Sequence, residues 1–295
     1  MSALRGPILV LLGSLCFSTT GLMQVLAPQG ANAVSTAFFR MAVGSICLFI
    51  WCFFTGQLRF DWKTLPWKRL IACALCLTEA QVFFFSSVKD VGVAVGTVVY
   101  IGVAPCAAAI FAFLLYRKKP STVWWLSTAL AITGVVLMND LSAGHLGDMS
   151  AMGFIVAAGF GYALYVTISP VLLERLSAEA SIAIISSLVS LALLPAALCM
   201  PMQWVLSPMG LFTVFDLGIV TAGLAFTLVL NGLKQTDSTV ASTLLLGEPL
   251  GAVGWGVLLL GEQIGFIGYC GMTMVFFSIV LLCWEQHRRS KTQDC

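Results

Sequence analysis

The feature that most constrains this chain is a succession of apolar segments, each about as long as a bilayer is thick. A helix that crosses the hydrocarbon core needs about 20 predominantly apolar residues, and the chain contains ten such stretches. Each must be helical, because hydrocarbon offers no partner to backbone N–H and C=O groups. The sequence therefore predicts an all-α integral membrane protein with helices over 7–27, 34–54, 70–88, 91–115, 123–139, 149–173, 178–200, 208–231, 239–261 and 264–284.

The composition excludes the common soluble classes. Charged residues make up only 9% of the 295 residues, whereas soluble domains carry about 25%. A chain so poor in charge cannot cover a surface that faces water. The formal net charge of +2 gives no reason to expect nucleic acid as a partner. The partners we expect are the lipid bilayer and a small-molecule substrate.

Lysine and arginine residues are distributed very unevenly between the two sides of the predicted helices. With the N-terminus in the cytoplasm, thirteen of the fifteen fall on the cytoplasmic side, Lys89 falls in an outer loop, and Arg40 lies within a span. Cytoplasmic loops of membrane proteins carry this excess of positive charge. We therefore predict a multi-pass protein of the cytoplasmic (inner) membrane with both termini in the cytoplasm.

The two halves of the chain resemble each other. When the sequence is shifted by 144 residues, Pro105 meets Pro249, and APCAAAIFAFLLYRKKPS overlies EPLGAVGWGVLLLGEQIG. Five spans per half is an odd number, so the halves enter the membrane in opposite orientations. This is the inverted-topology repeat that recurs in secondary transporters. We predict a first repeat over 1–145 and a second repeat over 146–295 that ends in a short cytoplasmic tail.

Four segments in order carry a resemblance to a known family: GSLCFSTTGLMQ, FFRMAVGS, GTVVYIGVAPCAAAIFAFLLYRKK and STLLLGEPLGAVGWGVLLLGE. The chain resembles EamA-type transporters of the drug/metabolite transporter superfamily over its whole length. The resemblance implies ten helices in two EamA-like inverted repeats and a central cavity lined by spans 1, 3, 4, 6, 8 and 9. It also implies a secondary transporter, and family substrates range over amino acids, other small metabolites and drugs. We expect a small organic metabolite, an amino acid or a related compound, with efflux as the direction. One departure is Leu15-Cys16 in the first span, where relatives often carry an aromatic residue, and this weakens any transfer of substrate identity.

Glu248 and Pro249 stand side by side in the middle of an apolar span. An ionisable group at the bilayer centre costs at least ~2.5–3.5 kcal/mol, so it faces a cavity or a partner. Position 104, the repeat equivalent of Glu248, is an alanine, so the scaffold itself does not require an acid there. Pro249 and Pro105 each remove the hydrogen-bond donor to a carbonyl four residues earlier. We predict that both prolines are gating joints and that their bare carbonyls face the cavity. Glu248 is a substrate- or proton-binding residue in this interpretation, and pairing with Arg40 for packing is the alternative.

Three further charged residues lie within spans. Glu79, with Gln81 two residues on, is a candidate for binding a substrate ammonium group or a proton, because burial makes a carboxyl group bind a proton more readily. A structural role for Glu79 stays open. Arg40 could hold a substrate carboxylate or neutralise Glu79, and its position in span 2 favours a structural charge. Asp216, nearer the outer end of span 8, is also interpreted as structural.

Uncharged polar and aromatic residues complete the candidate cavity. Tyr162 and Tyr165 are spaced so that they share one helix face, and Tyr100 lies one turn before Pro105. Aromatic faces can hold a cation or stack on a ring, although each ring taken alone is more often packing. The full set is Ser18, Thr19, Thr20, Tyr100, Tyr162, Tyr165, Asn231 and Trp255.

These observations favour a secondary transporter over the alternatives. No P-loop is present, the two histidines lie outside the spans, and no HExxH motif occurs. We therefore expect no cofactor, no metal and no enzymatic activity. An intramembrane enzyme and a channel-like or structural membrane protein remain the rival classes. A proton is the candidate coupling ion, and both a monomer and a homodimer fit the sequence.

Overall fold

The chain folds into a bundle of long apolar helices. The computed structural model of the chain describes residues 4–58, 61–91, 93–138, 149–261 and 265–293, and these contain helices and no β-strand. Eight helices in this part of the chain are long and apolar enough to cross a membrane, and Thr122–Met138 is a shorter apolar helix. The prediction of an all-helical, multi-pass membrane protein is confirmed.

We label the long helices α1 to α10 in chain order. They are α1 (Arg5–Phe17 and Thr19–Leu26), α2 (Ala33–Phe54), α3 (Trp67–Val91), α4 (Val93–Tyr116), α5 (Thr122–Met138), α6 (Met149–Ile168, extended by the 3-10 turn Ser169–Glu174), α7 (Ala178–Leu198), α8 (Pro208–Phe215, Asp216–Ala225 and Phe226–Gly232), α9 (Ser238–Leu244, Leu245–Gly247 and Glu248–Leu260) and α10 (Phe266–Gln293). Short 3-10 helices cover Trp62–Thr64 and Gln203–Leu206.

The predicted end of the third helix at residue 88 is wrong. Helix α3 continues to Val91, so Lys89 lies in its last turn and not in a loop. No proline or glycine stands between Glu79 and Val91 to end the helix earlier. The polar residues at 86–90 extend the helix without a break.

Three helices change geometry near their middles, and local chemistry explains two of the changes. In α1 the break falls at Ser18, where successive hydroxyls compete for backbone carbonyls; Ser18 Oγ donates to the Leu15 carbonyl at 2.6 Å. In α9 a 3-10 turn, Leu245–Gly247, precedes Pro249. Helix α8 widens into a π-helix over Asp216–Ala225, a geometry often found at functional sites.

Small residues set the closest helix contacts, as is usual in membrane bundles. Helix α5 packs on α10, and a Cβ atom at Gly134 would lie 2.7 Å from the backbone oxygen of Gly271. Helix α2 packs on α8, where a Cβ atom at Gly44 would lie 2.7 Å from the Cβ atom of Ala222. The outer surface carries large apolar side chains such as Phe54 and Phe266, as a lipid-facing surface requires.

Helix ends are capped where the sequence supplies short polar side chains. Asn32, Ser177 and Ser207 precede α2, α7 and α8, and each side chain accepts a hydrogen bond from a backbone N–H in the first turn. Helix α9 ends at Gly261, whose φ of 68° lies in the left-handed region that favours glycine. These caps fix the lengths of the helices that surround the central cavity.

Candidate functional site

A cavity of ≈ 250 Å³ lies among seven helices in the middle of the bundle. Six of these helices, α1, α3, α4, α6, α8 and α9, are those that the family resemblance implied, and α2 is the seventh. The lining comprises Phe17, Thr20, Gly21, Arg40, Met41, Leu77, Ala80, Gln81, Phe84, Thr97, Tyr100, Ile101, Ala104, Tyr162, Phe226, Ser242, Leu245 and Glu248.

Two opposite charges, Arg40 on α2 and Glu248 on α9, line this cavity. They interact electrostatically, yet Arg40 forms no ion pair within 4.0 Å with any carboxylate of the described residues. The guanidinium carbon of Arg40 instead lies 5.8 Å from the ring centroid of Phe17 and 5.9 Å from that of Phe226. Such cation–π contacts hold a guanidinium in place without neutralising its charge. The cavity therefore has a positive pole and a negative pole that remain available to a ligand.

Several buried polar atoms on the same wall have no hydrogen-bond partner among the described residues. They are Nε of Arg40, Oγ1 of Thr20, and both side-chain amide atoms of Gln81. Buried polar groups in native proteins nearly always have a partner. Four of the ten such atoms among the described residues line this one cavity, which makes it the candidate site for a polar ligand.

Aromatic rings form another part of the cavity lining. Rings of Phe84 and Tyr100 lie 5.0 Å apart, and the rings of Tyr100 and Tyr162 lie 6.0 Å apart. The row continues to Tyr165, whose ring is 6.2 Å from that of Tyr162 and 5.9 Å from that of Phe226. Tyr165 is buried behind the wall and does not line the cavity. The wall gives a ligand an apolar, polarisable surface next to two charges.

Four of the sequence candidates lie beside the cavity and bind one another. Ser18 accepts a hydrogen bond from Trp255 Nε1 at 2.9 Å and so joins α1 to α9. Thr19 donates to Asp216 at 3.0 Å and so joins α1 to α8. None of these four lines the cavity. Their contacts fix the broken middle of α1, which positions Thr20 and Phe17 on the cavity wall.

Glu79 lies in a different place from Glu248. It is the thirteenth residue of the 25-residue helix α3, and it lines a shallow groove between α3 and α6 together with Phe111 and Phe160. Its carboxylate packs directly against Gly161, where an added Cβ atom would collide with it. Gln81 faces the central cavity, so the two neighbours on α3 point to different surfaces.

The two prolines sit in different backbone environments. Helix α4 is continuous through Pro105, whereas α9 tightens into a 3-10 turn just before Pro249. The expectation that the Leu245 carbonyl is left bare is wrong, because it accepts a hydrogen bond from the backbone N–H of Glu248. The tighter turn replaces the donor that Pro249 lacks, and it places Glu248 at the start of the last segment of α9.

The end of the bundle that holds the start of α9 is closed by contacts between α5 and α9. Trp124 Nε1 donates to the Thr239 carbonyl at 2.9 Å, and the hydroxyls of Thr128 and Thr243 lie 2.9 Å apart, all of them buried. Lys118, between α4 and α5, pairs with Asp237 at the start of α9. We call these three contacts the α5–α9 closure. The cavity-lining residues of α1, α2 and α4 lie toward the opposite end of the bundle.

We next consider whether the described part of the chain could support metal-dependent chemistry. Those residues contain no group of three or more His, Cys, Asp or Glu side chains that could hold a metal ion. Cys73 and Cys76, the C-x-x-C pair of α3, are both free thiols.

Comparison with known proteins decides the family. The sequence model of the EamA-like transporter family matches residues 4–140 and, separately, residues 149–284. The chain belongs to this family. It is therefore a membrane transporter by descent, and the resemblance read from the four sequence segments is confirmed.

Individual relatives support the same assignment. The chain is 29% identical over 285 residues to the uncharacterized transporter YwfM of Bacillus subtilis (strain 168). The alignment covers 97% of this chain and 95% of that protein. A shorter match, 35% identical over 69 residues, relates 22% of the chain to 24% of the uncharacterized transporter YdeK of the same organism. A solved crystal structure superimposes with a TM-score of 0.78 at 17% identity, covering 94% of this chain and 95% of that one. At this identity the structural likeness shows a shared fold.

The cavity brings together some of the sequence candidates and adds others. Glu248, Gln81, Tyr100 and Tyr162 line it, as does Arg40 from a helix that the resemblance did not include. Sequence reasoning missed Phe17 and Phe226, which hold the Arg40 side chain. A charge within an apolar span requires such a partner, but the sequence does not say which ring from another helix supplies it.

Proposed function

We propose that this protein is a secondary transporter for a small zwitterionic metabolite, an amino acid or a close relative, which it binds in the central cavity. The observation that carries the proposal is the pair of unlinked charges, Arg40 and Glu248, on the wall of one cavity. A carboxylate of the substrate would bind the guanidinium, and its ammonium group would bind the carboxylate. The aromatic wall at Tyr100 and Tyr162 would contact an apolar side chain.

The size of the cavity favours a metabolite over a drug. Sites for drug-sized ligands usually enclose about 300–1,000 Å³, and this cavity encloses ≈ 250 Å³. Binding of a purely apolar compound would be unfavourable, because it would leave both charges of the cavity without water or a partner. We propose export as the direction on the strength of the family resemblance alone.

The proposed architecture is ten membrane-spanning helices in two inverted repeats, 1–145 and 146–295. The helix contacts support it: exchanging each helix for the one five places along converts the contacts α3–α6, α4–α6 and α3–α7 into α8–α1, α9–α1 and α8–α2, all of which occur. The contacts α2–α7 and α5–α10 convert into themselves. Two separate matches to the family sequence model fit the same division.

Transport would proceed by alternating access. In the predicted topology the α5–α9 closure lies on the cytoplasmic side, and the cavity lies toward the outer side. Opening the closure while the outer ends of the helices converge would expose the same site to the cytoplasm. Pro105 and Pro249 are the proposed joints, since neither position can supply a backbone donor to stiffen its helix. The proton is the proposed coupling ion, with Glu248 and Glu79 as its carriers.

A counterflow measurement tests the proposal. Purified full-length protein in liposomes preloaded with a mixture of the twenty amino acids should accumulate at least one radiolabelled amino acid. A pH gradient should change the net flux. Glu248→Gln should abolish accumulation, because the neutral amide cannot balance an ammonium group. Glu174→Gln, at an exposed position far from the cavity, is the matched control and should transport like the wild type. If the wild type accumulates no amino acid while a purely apolar or purely anionic compound is taken up, the proposed substrate class is wrong.

A further inference from the structure

Among the described residues, Gln81 has the most buried side-chain atoms without a hydrogen-bond partner. Both of its amide atoms are buried, and neither has a hydrogen-bond partner among the described residues. Its neighbours on the same wall of α3, Leu77, Ala80 and Phe84, are apolar. A leucine or methionine would fill this position without leaving polar atoms unpaired. The position therefore retains an amide for a reason other than packing.

Two more unpartnered groups lie on neighbouring helices. Thr20 Oγ1 on α1 and Arg40 Nε on α2 are buried without partners among the described residues, and both residues line the cavity with Gln81. At ~1.5 Å per residue, Thr20 and Arg40 lie about 10 Å below the outer ends of their helices and Gln81 lies about 15 Å below. Glu248 lies about 18 Å from the outer end of α9 by the same measure. In depth below the outer helix ends, Gln81 therefore lies between Arg40 and Glu248.

An amide between two poles matches one ligand chemistry. The side chain of glutamine offers N–H donors and a carbonyl acceptor on the same amide carbon. An α-amino acid presents an acceptor and a donor at similar spacing, because its carboxylate and its ammonium group sit on one carbon. Arg40 and Glu248 supply the two opposite charges, and Thr20 supplies a further O–H donor on the Arg40 side.

We infer that Gln81 and Thr20 recognise the head group of an α-amino acid. Gln81 Nε2 and Thr20 Oγ1 donate to the carboxylate that Arg40 holds, and Gln81 Oε1 accepts from the ammonium group that Glu248 holds. The inference rests on the proposed function and sharpens it: the site selects a ligand that carries a carboxylate and an ammonium group on one carbon. A site with buried hydrogen-bonding groups strongly rejects analogues that leave those groups unpaired.

Three ligands that share the isobutyl side chain of leucine separate the head-group contacts. L-Leucine carries both groups, 3-methylbutylamine lacks the carboxylate, and 4-methylpentanoate lacks the ammonium group. Binding of each to purified full-length protein is measured by calorimetry for the wild type, Gln81→Met and Thr20→Val. Gln286→Met, at the far end of α10 where the side chain binds only the Gln235 carbonyl, is the matched control.

The wild type should bind L-leucine more tightly than either analogue. Gln81→Met should weaken L-leucine binding roughly 10- to 100-fold, because hydrogen bonds to charged groups are lost. The ratio of its affinity for L-leucine to its affinity for each analogue should fall accordingly. Thr20→Val should weaken L-leucine and 4-methylpentanoate but leave 3-methylbutylamine unchanged. The control should match the wild type. Thermal unfolding without ligand shows whether each variant is folded. If Gln81→Met is not folded, Thr20→Val alone tests the assignment.

Two failures are distinguishable. If the wild type binds no member of a twenty-amino-acid panel, the proposed substrate class is wrong and the head-group assignment falls with it. If the wild type binds L-leucine but folded Gln81→Met and Thr20→Val keep its preference over both analogues, the proposed function stands. In that case the assignment to Gln81 and Thr20 is overturned.

Discussion

Opening of the cavity to the cytoplasm should depend more on the buried contacts of the α5–α9 closure than on its ion pair. Lys118 and Asp237 have side chains that are 62% and 45% exposed, and an exposed ion pair contributes only about 0.2–1 kcal/mol. The Trp124 hydrogen bond to the Thr239 carbonyl is buried. Removing its donor loses one buried hydrogen bond, which contributes about 0.5–1.5 kcal/mol; the Thr239 carbonyl still accepts from the hydroxyls of Ser242 and Thr243.

These magnitudes predict an order of effects. Since every 1.4 kcal/mol is tenfold in an equilibrium constant, Trp124→Phe should raise the population open to the cytoplasm by roughly 2- to 12-fold. Lys118→Ala should raise it by about fivefold at most. Trp125→Phe changes a neighbouring indole that is exposed on the outside of the bundle, so it should have no effect.

Cysteine accessibility measures this population. Ser242→Cys, on the cavity wall near the start of α9, is introduced into a cysteine-free variant and treated with a membrane-impermeant maleimide in inside-out vesicles. The labelling rate should follow the order Trp124→Phe, Lys118→Ala, Trp125→Phe. Equal or faster labelling in Lys118→Ala than in Trp124→Phe would refute the reasoning that burial decides which contact holds the cavity shut.

Three further outcomes follow from the fold and the topology. A single cysteine placed within 140–148 of the cysteine-free variant should react with an impermeant thiol reagent from outside intact cells, and reaction only after lysis would reverse the orientation. Gly134→Val should lower the thermal unfolding temperature sharply because its side chain meets the α10 backbone, whereas Gly153→Val, where an added Cβ atom meets nothing within 4 Å, should unfold near the wild-type temperature. Pro105→Ala and Pro249→Ala should slow counterflow by restoring a backbone donor; unchanged rates in both variants would place the joints elsewhere.

The membrane fold could be predicted from sequence because hydrocarbon leaves a spanning segment only one economical structure. Apolar length alone locates the helices, and charge density alone excludes a soluble domain. Helix ends were less predictable, as at Lys89, because polar residues near the interface can extend a helix or begin a loop. The π-helix inside α8 was not predicted, and Pro249 predicted a joint in α9 but not the 3-10 turn that precedes it.

The sequence indicated which residue types would form the candidate site, but not which side chains would point into the cavity. A charge within a span has to face a cavity or a partner, which drew attention to Glu248 and Arg40, and both line the central cavity. Helical periodicity does not say which side of a bundle is inside when every face is apolar. The spacing of Glu79 and Gln81 placed them on different but adjoining helix faces, yet it could not say that Gln81, and not Glu79, lines the central cavity. The aromatic residues around Arg40 come from α1 and α8, far apart in sequence, so only the assembled bundle reveals them.

The most direct measurement of the central claim is an experimental structure of the protein with bound L-leucine. We predict ligand density in the central cavity, with the carboxylate within hydrogen-bond distance of Arg40 and the ammonium group within hydrogen-bond distance of Glu248. An ion pair formed directly between Arg40 and Glu248, with the ligand elsewhere or absent at saturating concentration, would contradict the claim.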